Sequence, residues 1–304
     1  MTGGVTSAAG VIGCIGLGVM GEPICRNLVL KSGRRVLGYD TRRAPLERLA
    51  AHGVGAAAGV ADVMREADIV FISLPSGREV AALCEGAAGA LAGARRGQIV
   101  VDLGTSPPAL ARDLACAFAA RSAGFADAPV ARTRAAAERG ELSVMVGATP
   151  GIFAQLRPVL ANFATDITHC GPPGAGQVVK ILNNMVLVET VVALSEALAI
   201  ARGEGVDGAL VFEALARGSA DSFALRNHGM KALLPGVFPE RAFSAVYARK
   251  DLGYVLDLAQ AQDLAVTGAE NAARLLESAI ARGDGERYWP VLSRVFAREK
   301  PEGN

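Results

Sequence analysis

Residues 10–31 read GVIGCIGLGVMGEPICRNLVLK. They begin with a short apolar run of strand length at 11–15, which leads directly into the glycine pattern GLGVMG at 16–21. After this pattern, Ile24, Leu28 and neighbouring apolar residues recur at helical spacing. A strand, a glycine turn and a helix in this order are typical of a βαβ unit that binds a dinucleotide, because the free N–H groups at the helix N-terminus bind a pyrophosphate.

The glycines of this turn have separate predicted roles. Gly16 permits the tight turn, Gly18 lets the backbone approach the pyrophosphate, and Gly21 lets the helix pack closely on the strand. A second apolar run ends at Asp40, 19 residues after Gly21, where an acid accepts hydrogen bonds from the adenine ribose. The alternative is a glycine-rich turn in another kind of α/β domain. The predicted cofactor turn comprises Gly16, Leu17, Gly18, Val19, Met20 and Gly21.

Asp40 also bears on which cofactor is bound. An acid at this position accepts the 2′-hydroxyl of NAD and repels the 2′-phosphate of NADP. Arg42 and Arg43 follow directly and give the opposite signal, because guanidinium groups bind phosphate. We therefore expect NAD as the cofactor, with NADP as the alternative.

The composition is that of a globular protein, since 51% of the 304 residues are hydrophobic and 20% are charged. A formal net charge of +1 gives no electrostatic footprint for nucleic acid or an acidic membrane. The five cysteines and three histidines are scattered, so we expect free thiols in a reducing, cytoplasmic setting and no metal site. The most apolar later stretch, 178–200, contains charged and amide residues and is expected to be too polar to cross a membrane.

Strand and helix patterns alternate along the first part of the chain. This alternation predicts an α/β fold whose N-terminal domain, 10–173, is a doubly wound Rossmann domain with a mostly parallel sheet. After the proline- and glycine-rich segment 171–176 the strand patterns end, so 174–298 is predicted to be an all-helical domain for substrate binding and dimerisation. A long helix at about 178–202 is predicted to join the two domains. The predicted strands are 35–39, 68–75, 98–102, 125–129 and 142–146, and the predicted helices of the first domain after the glycine turn are 44–52, 60–66, 78–84, 109–122 and 151–160.

Lys180 lies in the first turns of the predicted long helix. Asn183 and Asn184 follow three and four residues later and share its face. Polar groups on an otherwise apolar helix need partners, which makes this cluster a candidate site. Burial and the helix N-terminus both disfavour the ammonium form, so such a lysine could exchange a proton near neutral pH. The alternative is a lysine that reaches solvent or pairs with an acid.

Four separated motifs resemble the β-hydroxyacid dehydrogenase family, and the resemblance extends from Val11 to Phe296. Because the motifs occur in the family's order, chance agreement is a poor explanation. They are Ile15-Gly16-Leu17-Gly18-Val19-Met20-Gly21, Asp127-Ala128-Pro129-Val130, Gly174-Ala175-Gly176 with Lys180 and Asn184, and Lys250-Asp251-Leu252.

The resemblance implies a role for each matching residue. Lys180 would be the catalytic acid/base, and Asn184, with Asn183 beside it, would hold the substrate. Asp251 and the aromatic residue Phe243 would close the pocket from the helical domain. The remaining predicted cofactor contacts are Leu74, Pro75, Thr105 and Lys250.

The loop after Pro129 departs from the family, which usually has Ser-Gly-Gly after Asp-Ala-Pro-Val. Here Ala131-Arg132-Thr133-Arg134 follows, so a serine hydroxyl is lost and two guanidinium groups are gained. Arg132 and Thr133 are similar to the sulfolactaldehyde reductase branch, in which the arginine grips a sulfonate. We therefore expect both residues to bind the anionic end of the substrate, although Leu187 stands where that branch has a serine. The alternative is that Arg132 is a solvated loop residue.

These features favour an NAD(P)-dependent oxidoreductase that transfers hydride between nicotinamide and a short anionic 3-hydroxy acid or its semialdehyde, as 3-hydroxyisobutyrate dehydrogenase does. One alternative is a reductase of a small sulfonated or otherwise anionic aldehyde, and another is a non-catalytic dinucleotide-binding protein. A relative of the imine reductases is disfavoured, because an aspartate or tyrosine would replace Lys180 there. By analogy with the family, and from the apolar helix, we expect a homodimer or homotetramer.

Overall fold

The structure of the chain is a computed structural model, and it describes residues 10–240 and 242–296. These residues form two compact units, which divide within one long helix, between Lys180 and Ile181. The sequence places the boundary seven residues earlier, between 173 and 174, in the turn before that helix. Residues 297 and 298, at the end of the predicted second domain, lie outside the described residues.

One sheet organises the first unit. Its described strands are β1 (Ile12–Ile15), β2 (Val36–Tyr39), β3 (Gly55–Ala56), β4 (Ile69–Ile72), β5 (Ile99–Asp102), β6 (Gly124–Asp127), β7 (Val130–Ala131), β8 (Leu142–Gly147) and β9 (Ala164–Gly171). The strand order is β3-β2-β1-β4-β5-β6-β8-β7, and β9 pairs with β8. Strands β1 to β6 pair in parallel with one another, whereas β8 is antiparallel to β6 and β7. The predicted doubly wound, mostly parallel sheet is confirmed.

Helices cover the sheet on both faces, which explains why every residue of β1, β4 and β5 is buried. Ile24 and Leu28, the predicted apolar face of the first helix, pack with Phe71 and Phe163 in one hydrophobic cluster. A second cluster contains Phe118. The helices of this unit are α1 (Gly21–Lys31), α2 (Arg43–Ala50), α3 (Val60–Glu66), α4 (Gly77–Cys84), α5 (Pro108–Ala119), α6 (Arg134–Arg139) and α7 (Pro150–Leu160).

The sequence did not predict β7, α6 or β9. The reason is clearest for β9, whose sequence ATDITHCG has few apolar residues and whose side chains are mostly exposed or half-buried. It pairs in parallel with β8, with two register shifts. Its backbone hydrogen bonds to β8, rather than apolar burial, therefore account for the strand, and period-two hydrophobicity gives no sign of it.

The second unit is helical, as predicted, around a core that includes the buried side chains of Phe212 and Trp289. Two isolated bridges, between Glu240 and Arg287 and between Ser244 and Tyr288, are its described β pairings. Its helices are α8 (Ala175–Gly203), which begins in the first unit, α9 (Gly208–Arg217), α10 (Ala245–Gln260) and α11 (Thr267–Ala279), with π-helical segments at Leu225–Leu233 and Ile280–Asp284 and a 3₁₀ segment at Trp289–Phe296.

Helix α8 is more apolar than expected. By length and composition it could cross a membrane, because its most apolar window has at most two charged residues and a mean hydropathy of 1.7, and 44% of that window is buried. The expectation that it is too polar was therefore wrong, although the core helix of a soluble protein meets the same criteria. It is also buried on one side only, since Val188, Val191 and Leu198 are buried whereas Leu182 and Ile200 are exposed.

Candidate functional site

The glycine turn after β1 has the close approaches that its sequence predicts. Gly16 has a φ of +84°, and a Cβ there would lie 2.3 Å from the carbonyl oxygen of Ser73. A Cβ on Gly21, the first residue of α1, would lie 2.0 Å from the carbonyl oxygen of Gly16. At Gly18 the nearest described atom to such a Cβ would be Arg42 Nη2, at 3.9 Å, so the backbone is open there. Between the glycines, Leu17 is buried, Met20 is half-buried and Val19 is exposed.

Asp40 follows β2, and its carboxylate is bonded to the glycine turn. The N–H of Leu17 donates to Oδ2 at 2.7 Å, and the N–H of Arg42 donates to Oδ1 at 2.8 Å. The Arg42 guanidinium also pairs with the carboxylate, with Nε 3.1 Å from Oδ1. Burial raises the pKa of Asp40, but the hydrogen bonds from Arg42 and Leu17 outweigh it and leave the pKa below its ordinary value. An ionised acceptor therefore stands beside the turn, with an arginine next to it.

Other predicted cofactor residues lie at the same edge of the sheet as the turn. Leu74 and Pro75 follow β4, and Thr105 follows β5. Strands β1, β4 and β5 are adjacent and parallel, so their carboxyl ends meet at one edge. In open α/β sheets this edge is where ligands bind.

A buried polar network holds the loop that contains Thr105. Asp102, the last residue of β5, accepts hydrogen bonds from the N–H of Gly104 and from the hydroxyl of Ser106, both at 2.8 Å. The Gln177 side chain accepts from the N–H of Ser106 at 3.0 Å and donates to the carbonyl of Gly104 at 2.9 Å. The loop and the first turn of α8 are thus bonded to each other.

A second buried carboxylate lies at the start of α8. Asp127, the last residue of β6, is completely buried and accepts hydrogen bonds from the N–H groups of Gly174, at 2.6 Å, and Gln177, at 2.8 Å. Burial raises the pKa of Asp127 above its ordinary value, although these backbone hydrogen bonds lower it. Lys180, the predicted catalytic residue, follows Gln177 by three residues on the same helix.

Sequence reasoning missed Gln177 and gave Asp127 no role beyond its place in a motif. The contacts of Gln177 with Asp127 and Ser106 join residues 50 and 71 positions apart, so no local pattern reports them. One signal was available. Gly174 stands before a long helix where a capping serine, threonine, aspartate or asparagine is usual, which implies a cap from elsewhere in the chain.

The Arg132 guanidinium, which the sequence predicts to bind the substrate anion, has partners within the first unit. The guanidinium donates three hydrogen bonds to groups on or next to β8 and β9. These are Asp166 Oδ2 at 2.5 Å, Glu141 O at 2.7 Å and Thr165 Oγ1 at 2.8 Å. Binding a substrate would require these bonds to break, so Arg132 anchors its own loop here.

The backbone of this loop keeps a conformation that favours glycine. Arg132 has a φ of +86°, which is uncommon for a residue with a side chain, and it occupies a position where the family usually has glycine. Thr133 is the N-cap of α6, and its hydroxyl oxygen accepts the N–H of Ala136 at 3.3 Å. Both predicted substrate residues of the loop thus have described partners within the first unit.

A cavity of about 370 Å³ lies against α1, α2 and α6 and contains none of the predicted site residues. Four of its charged side chains form two ion pairs. Arg48 pairs with Glu22 at 2.7 Å, and Arg134, the second arginine of the loop, pairs with Glu138 at 3.0 Å. The candidate site is therefore placed by the glycine turn and α8, and not by this cavity.

In the second unit, predicted substrate residues form a chain of hydrogen bonds. Asn183 Nδ2 donates to Asn184 Oδ1 at 3.1 Å, and Asn184 Nδ2 donates to Asp251 Oδ2 at 2.6 Å. Asp251 Oδ1 lies 3.2 Å from Lys250 Nζ. Asn184 and Asp251 are buried, whereas Asn183 is exposed. The buried aspartate therefore orients the Asn184 amide.

Lys250 lies between two aromatic rings of its own helix. Its Nζ is 5.5 Å from the ring centre of Tyr247 and 5.4 Å from that of Tyr254. These residues are three before and four after it on α10, so both rings reach its ammonium group. Phe243 precedes α10 and is 36% exposed.

Two family descriptions together cover most of the chain. Residues 11–171 match the NAD binding domain of 6-phosphogluconate dehydrogenase. Residues 174–288 match the family described as NAD-binding of NADP-dependent 3-hydroxyisobutyrate dehydrogenase. Both units of the chain therefore carry the similarity.

Individual relatives agree with these matches. The 3-hydroxyisobutyrate dehydrogenase of Pseudomonas aeruginosa is 37% identical over 283 residues, which cover 90% of this chain and 93% of that protein. The 2-(hydroxymethyl)glutarate dehydrogenase of Eubacterium barkeri is 32% identical over 285 residues, or 94% of each chain. The structure of Mycobacterium tuberculosis 3-hydroxyisobutyrate dehydrogenase with L-serine has a TM-score of 0.86 and 27% identity, and the match covers 95% of this chain and 100% of that one.

Proposed function

Because the chain belongs to the β-hydroxyacid dehydrogenase family, and is therefore an NAD(P)-dependent dehydrogenase of hydroxy acids, we propose that its substrate is a short anionic 3-hydroxy acid or the matching semialdehyde. The two relatives above are named for 3-hydroxyisobutyrate and 2-(hydroxymethyl)glutarate. Both compounds have a hydroxyl on the β carbon of a carboxylate, which is C3 when the carboxylate carbon is C1. The proposed substrate class shares these two groups.

The position of Lys180 on α8 supports this proposal most directly. Asp127 and Gln177 tie the first turn of α8 to the sheet and to the loop of Thr105. In our proposal Lys180 takes the hydroxyl proton during oxidation and returns it during reduction. Asn184, one turn further along α8, is proposed to orient the substrate, since Asp251 holds its amide.

The nicotinamide cofactor, when bound, supplies the hydride chemistry. The residues of the first unit fit such a cofactor, because the backbone is open at Gly18 beside the N-terminus of α1, where a pyrophosphate would be held. We propose that Asp40 accepts the adenine ribose hydroxyls and gives a preference for NAD. The ionised carboxylate would repel a 2′-phosphate, and it already binds the arginine that would otherwise attract one.

The sulfonated-aldehyde alternative rests on Arg132 as the group that binds the anion. Because Asp166 accepts a hydrogen bond from that guanidinium, we favour the 3-hydroxy acid over this alternative. A non-catalytic protein is also disfavoured, because the chain belongs to a dehydrogenase family and retains Lys180.

A homodimer or homotetramer is proposed as the assembly. Several apolar side chains of α8 are exposed, among them Leu182, Val186 and Ile200. A stripe of this kind is typical of a surface that another protein covers. Sedimentation velocity at micromolar concentration tests the proposal, and a monomer at every concentration would contradict it.

The substrate class can be tested with a panel of 3-hydroxy acids and semialdehydes, including 3-hydroxyisobutyrate, 2-(hydroxymethyl)glutarate and L-serine. Turnover is followed by nicotinamide absorbance with NAD and with NADP. We expect kcat/KM for the best acid to exceed that of an analogue without the carboxylate by about tenfold or more, as a charge-assisted contact implies. Turnover of none of these compounds would contradict the proposed function.

A further inference from the structure

We propose that Asp127 is a positioning residue for the reaction, because its carboxylate holds the turn of α8 that carries Lys180. This inference rests on the proposed role of Lys180. Asp127 needs no contact with substrate or cofactor, since it acts through the helix. Its two oxygens accept the N–H groups of Gly174 and Gln177, which flank the first turn of the helix.

The cap comes from an unusual place. A helix is ordinarily capped by the side chain of the residue just before it, but here that residue is Gly174, with a φ of +90°. Asp127 instead belongs to β6, which pairs with β5 on one side and β8 on the other. The carboxylate therefore fixes the start of a 29-residue helix to an interior strand of the sheet rather than to a loop.

Two glycines lie close against the carboxylate. A Cβ on Gly147 would lie 2.4 Å from Asp127 Oδ1. A Cβ on Gly176 would lie 2.8 Å from Asp127 Oδ2 and 2.3 Å from the carbonyl oxygen of Met145. The helix can approach the sheet this closely only because both positions lack side chains, so the carboxylate determines where the first turn begins.

The charge of Asp127 acts on Lys180 as well. The carboxylate lies at the positive end of α8, where it offsets the helix dipole and so favours the ammonium form of a lysine in the second turn. Asp102, bonded to Gln177, and Arg112, whose Nε lies 3.2 Å from the Cβ position of Gly174, are further ionisable groups close to this end. Burial and the charge of Asp127 also raise the pKa of the Cys170 thiol.

The test is Asp127→Asn, which keeps the shape of the side chain and leaves the other charges unchanged. The asparagine has one oxygen, so its NH₂ group must face a backbone N–H that donated to the carboxylate. We expect kcat to fall by about 10- to 100-fold from the misplaced lysine. We also expect the limb of the pH profile of kcat/KM that reports Lys180 to move to lower pH by about 0.2–0.7 unit.

Asp207→Asn is the matched control. Asp207 is the N-cap of α9, where its Oδ1 accepts the N–H of Ala209 at 3.0 Å. The same change there removes the charge of a capping carboxylate from a helix without Lys180, and the amide oxygen can still accept the N–H of Ala209. It should leave kcat and the pH profile as in the wild type and change Tm only slightly. If Asp127→Asn behaves in that way, Asp127 is merely structural and the inference is wrong.

Two measurements that do not need turnover separate this inference from the proposed function. Hydrogen exchange at the amides of Gly174 and Gln177 should accelerate in Asp127→Asn. The pH dependence of Lys180 modification by acetic anhydride, followed by mass spectrometry, should shift to lower pH. Wild-type exchange and wild-type Lys180 reactivity in the variant would overturn the inference, even if the enzyme turns over hydroxy acids.

The proposed function fails separately, if the wild type turns over no hydroxy acid or if Lys180→Ala is fully active. Gly147→Ala serves as a second variant if Asp127→Asn does not fold. It displaces the carboxylate without removing it, because the new Cβ would lie 2.4 Å from Oδ1. It should accelerate the same amide exchange, and exchange at the wild-type rate would contradict the inference.

Discussion

Exchange of Arg132 for glycine and for alanine tests the backbone of the loop after β7. Both variants lose the guanidinium and its hydrogen bonds, so they differ only at the Cα substituent. At a φ of +86° a Cβ costs about 1–2 kcal/mol. Relative to alanine, glycine lowers the free energy of unfolding by about 0.4–1 kcal/mol, because the unfolded chain has greater conformational freedom. We therefore expect Arg132→Gly to be more stable than Arg132→Ala by about 1 kcal/mol.

Thermal unfolding followed by circular dichroism measures this difference, which corresponds to about 2–4 °C in Tm for a unit of this size. Arg134, the first residue of α6, provides the control, because its backbone is helical. There the alanine variant should be the more stable of the pair. Equal stability of the two Arg132 variants, or a more stable alanine variant, would refute the positive φ at this position.

The same variants show what Arg132 binds. Because Asp166, Thr165 and Glu141 hold the guanidinium, we expect Arg132→Ala to change kcat/KM for an anionic substrate by less than about threefold, as for an ordinary surface substitution. A direct contact with the substrate anion predicts a loss of about 10- to 150-fold. Such a loss on the anionic substrate, without one on an uncharged analogue, would show that Arg132 leaves Asp166 to bind the substrate.

Three further changes have defined outcomes. Burial lowers the pKa of His228 from 6.5 to about 4, so the unfolded chain takes up its proton first as the pH falls. The stability present above pH 6.5 should therefore be lost toward pH 4, and the free energy of unfolding should fall by about 2 kcal/mol between pH 7 and pH 5. Urea unfolding at each pH measures this fall, and the same fall in His228→Phe as in the wild type would contradict the prediction. Asp40→Ser should reduce the preference for NAD in kcat/KM, whereas a wild-type preference for NADP of about tenfold would show that Arg42 decides the cofactor. Gly21→Ala would bring a Cβ within 2.0 Å of the Gly16 carbonyl oxygen, so it should weaken NADH binding in a fluorescence titration, and normal binding would be evidence against the tight turn.

The glycine turn and Asp40 could be predicted because everything that defines them is local. Strand, glycines and helix follow one another within 10–31, and close contacts with Ser73 and Gly16 require glycine at positions 16 and 21. The acid follows the next strand, which pairs with β1. The parallel sheet could also be predicted, because strand and helix patterns alternate along the first part of the chain.

Asp127 and Arg132 have partners that local sequence patterns could not predict. Asp127 is bonded to Gly174 and Gln177, 47 and 50 residues away, and only the folded sheet brings them together. The partner of Arg132, Asp166, is 34 residues away on β9, a strand too polar for its hydrophobic pattern to predict. The resemblance to relatives with a substrate-binding arginine predicted a role for Arg132. It could not predict that the carboxylate of Asp166 binds this arginine here.

The proton-transfer role of Lys180 is tested most directly by the kcat of Lys180→Ala on the best 3-hydroxy acid, measured together with the dissociation constant of NADH. Lys231→Ala is the control, because Lys231 lies on the π-helical segment, where its Nζ donates to Asn227 at 2.8 Å. The predicted result is a fall in kcat of about 100-fold or more. NADH binding should change by less than about twofold, and the control should be fully active. A Lys180→Ala enzyme with near wild-type kcat would contradict the assignment of the proton to this lysine.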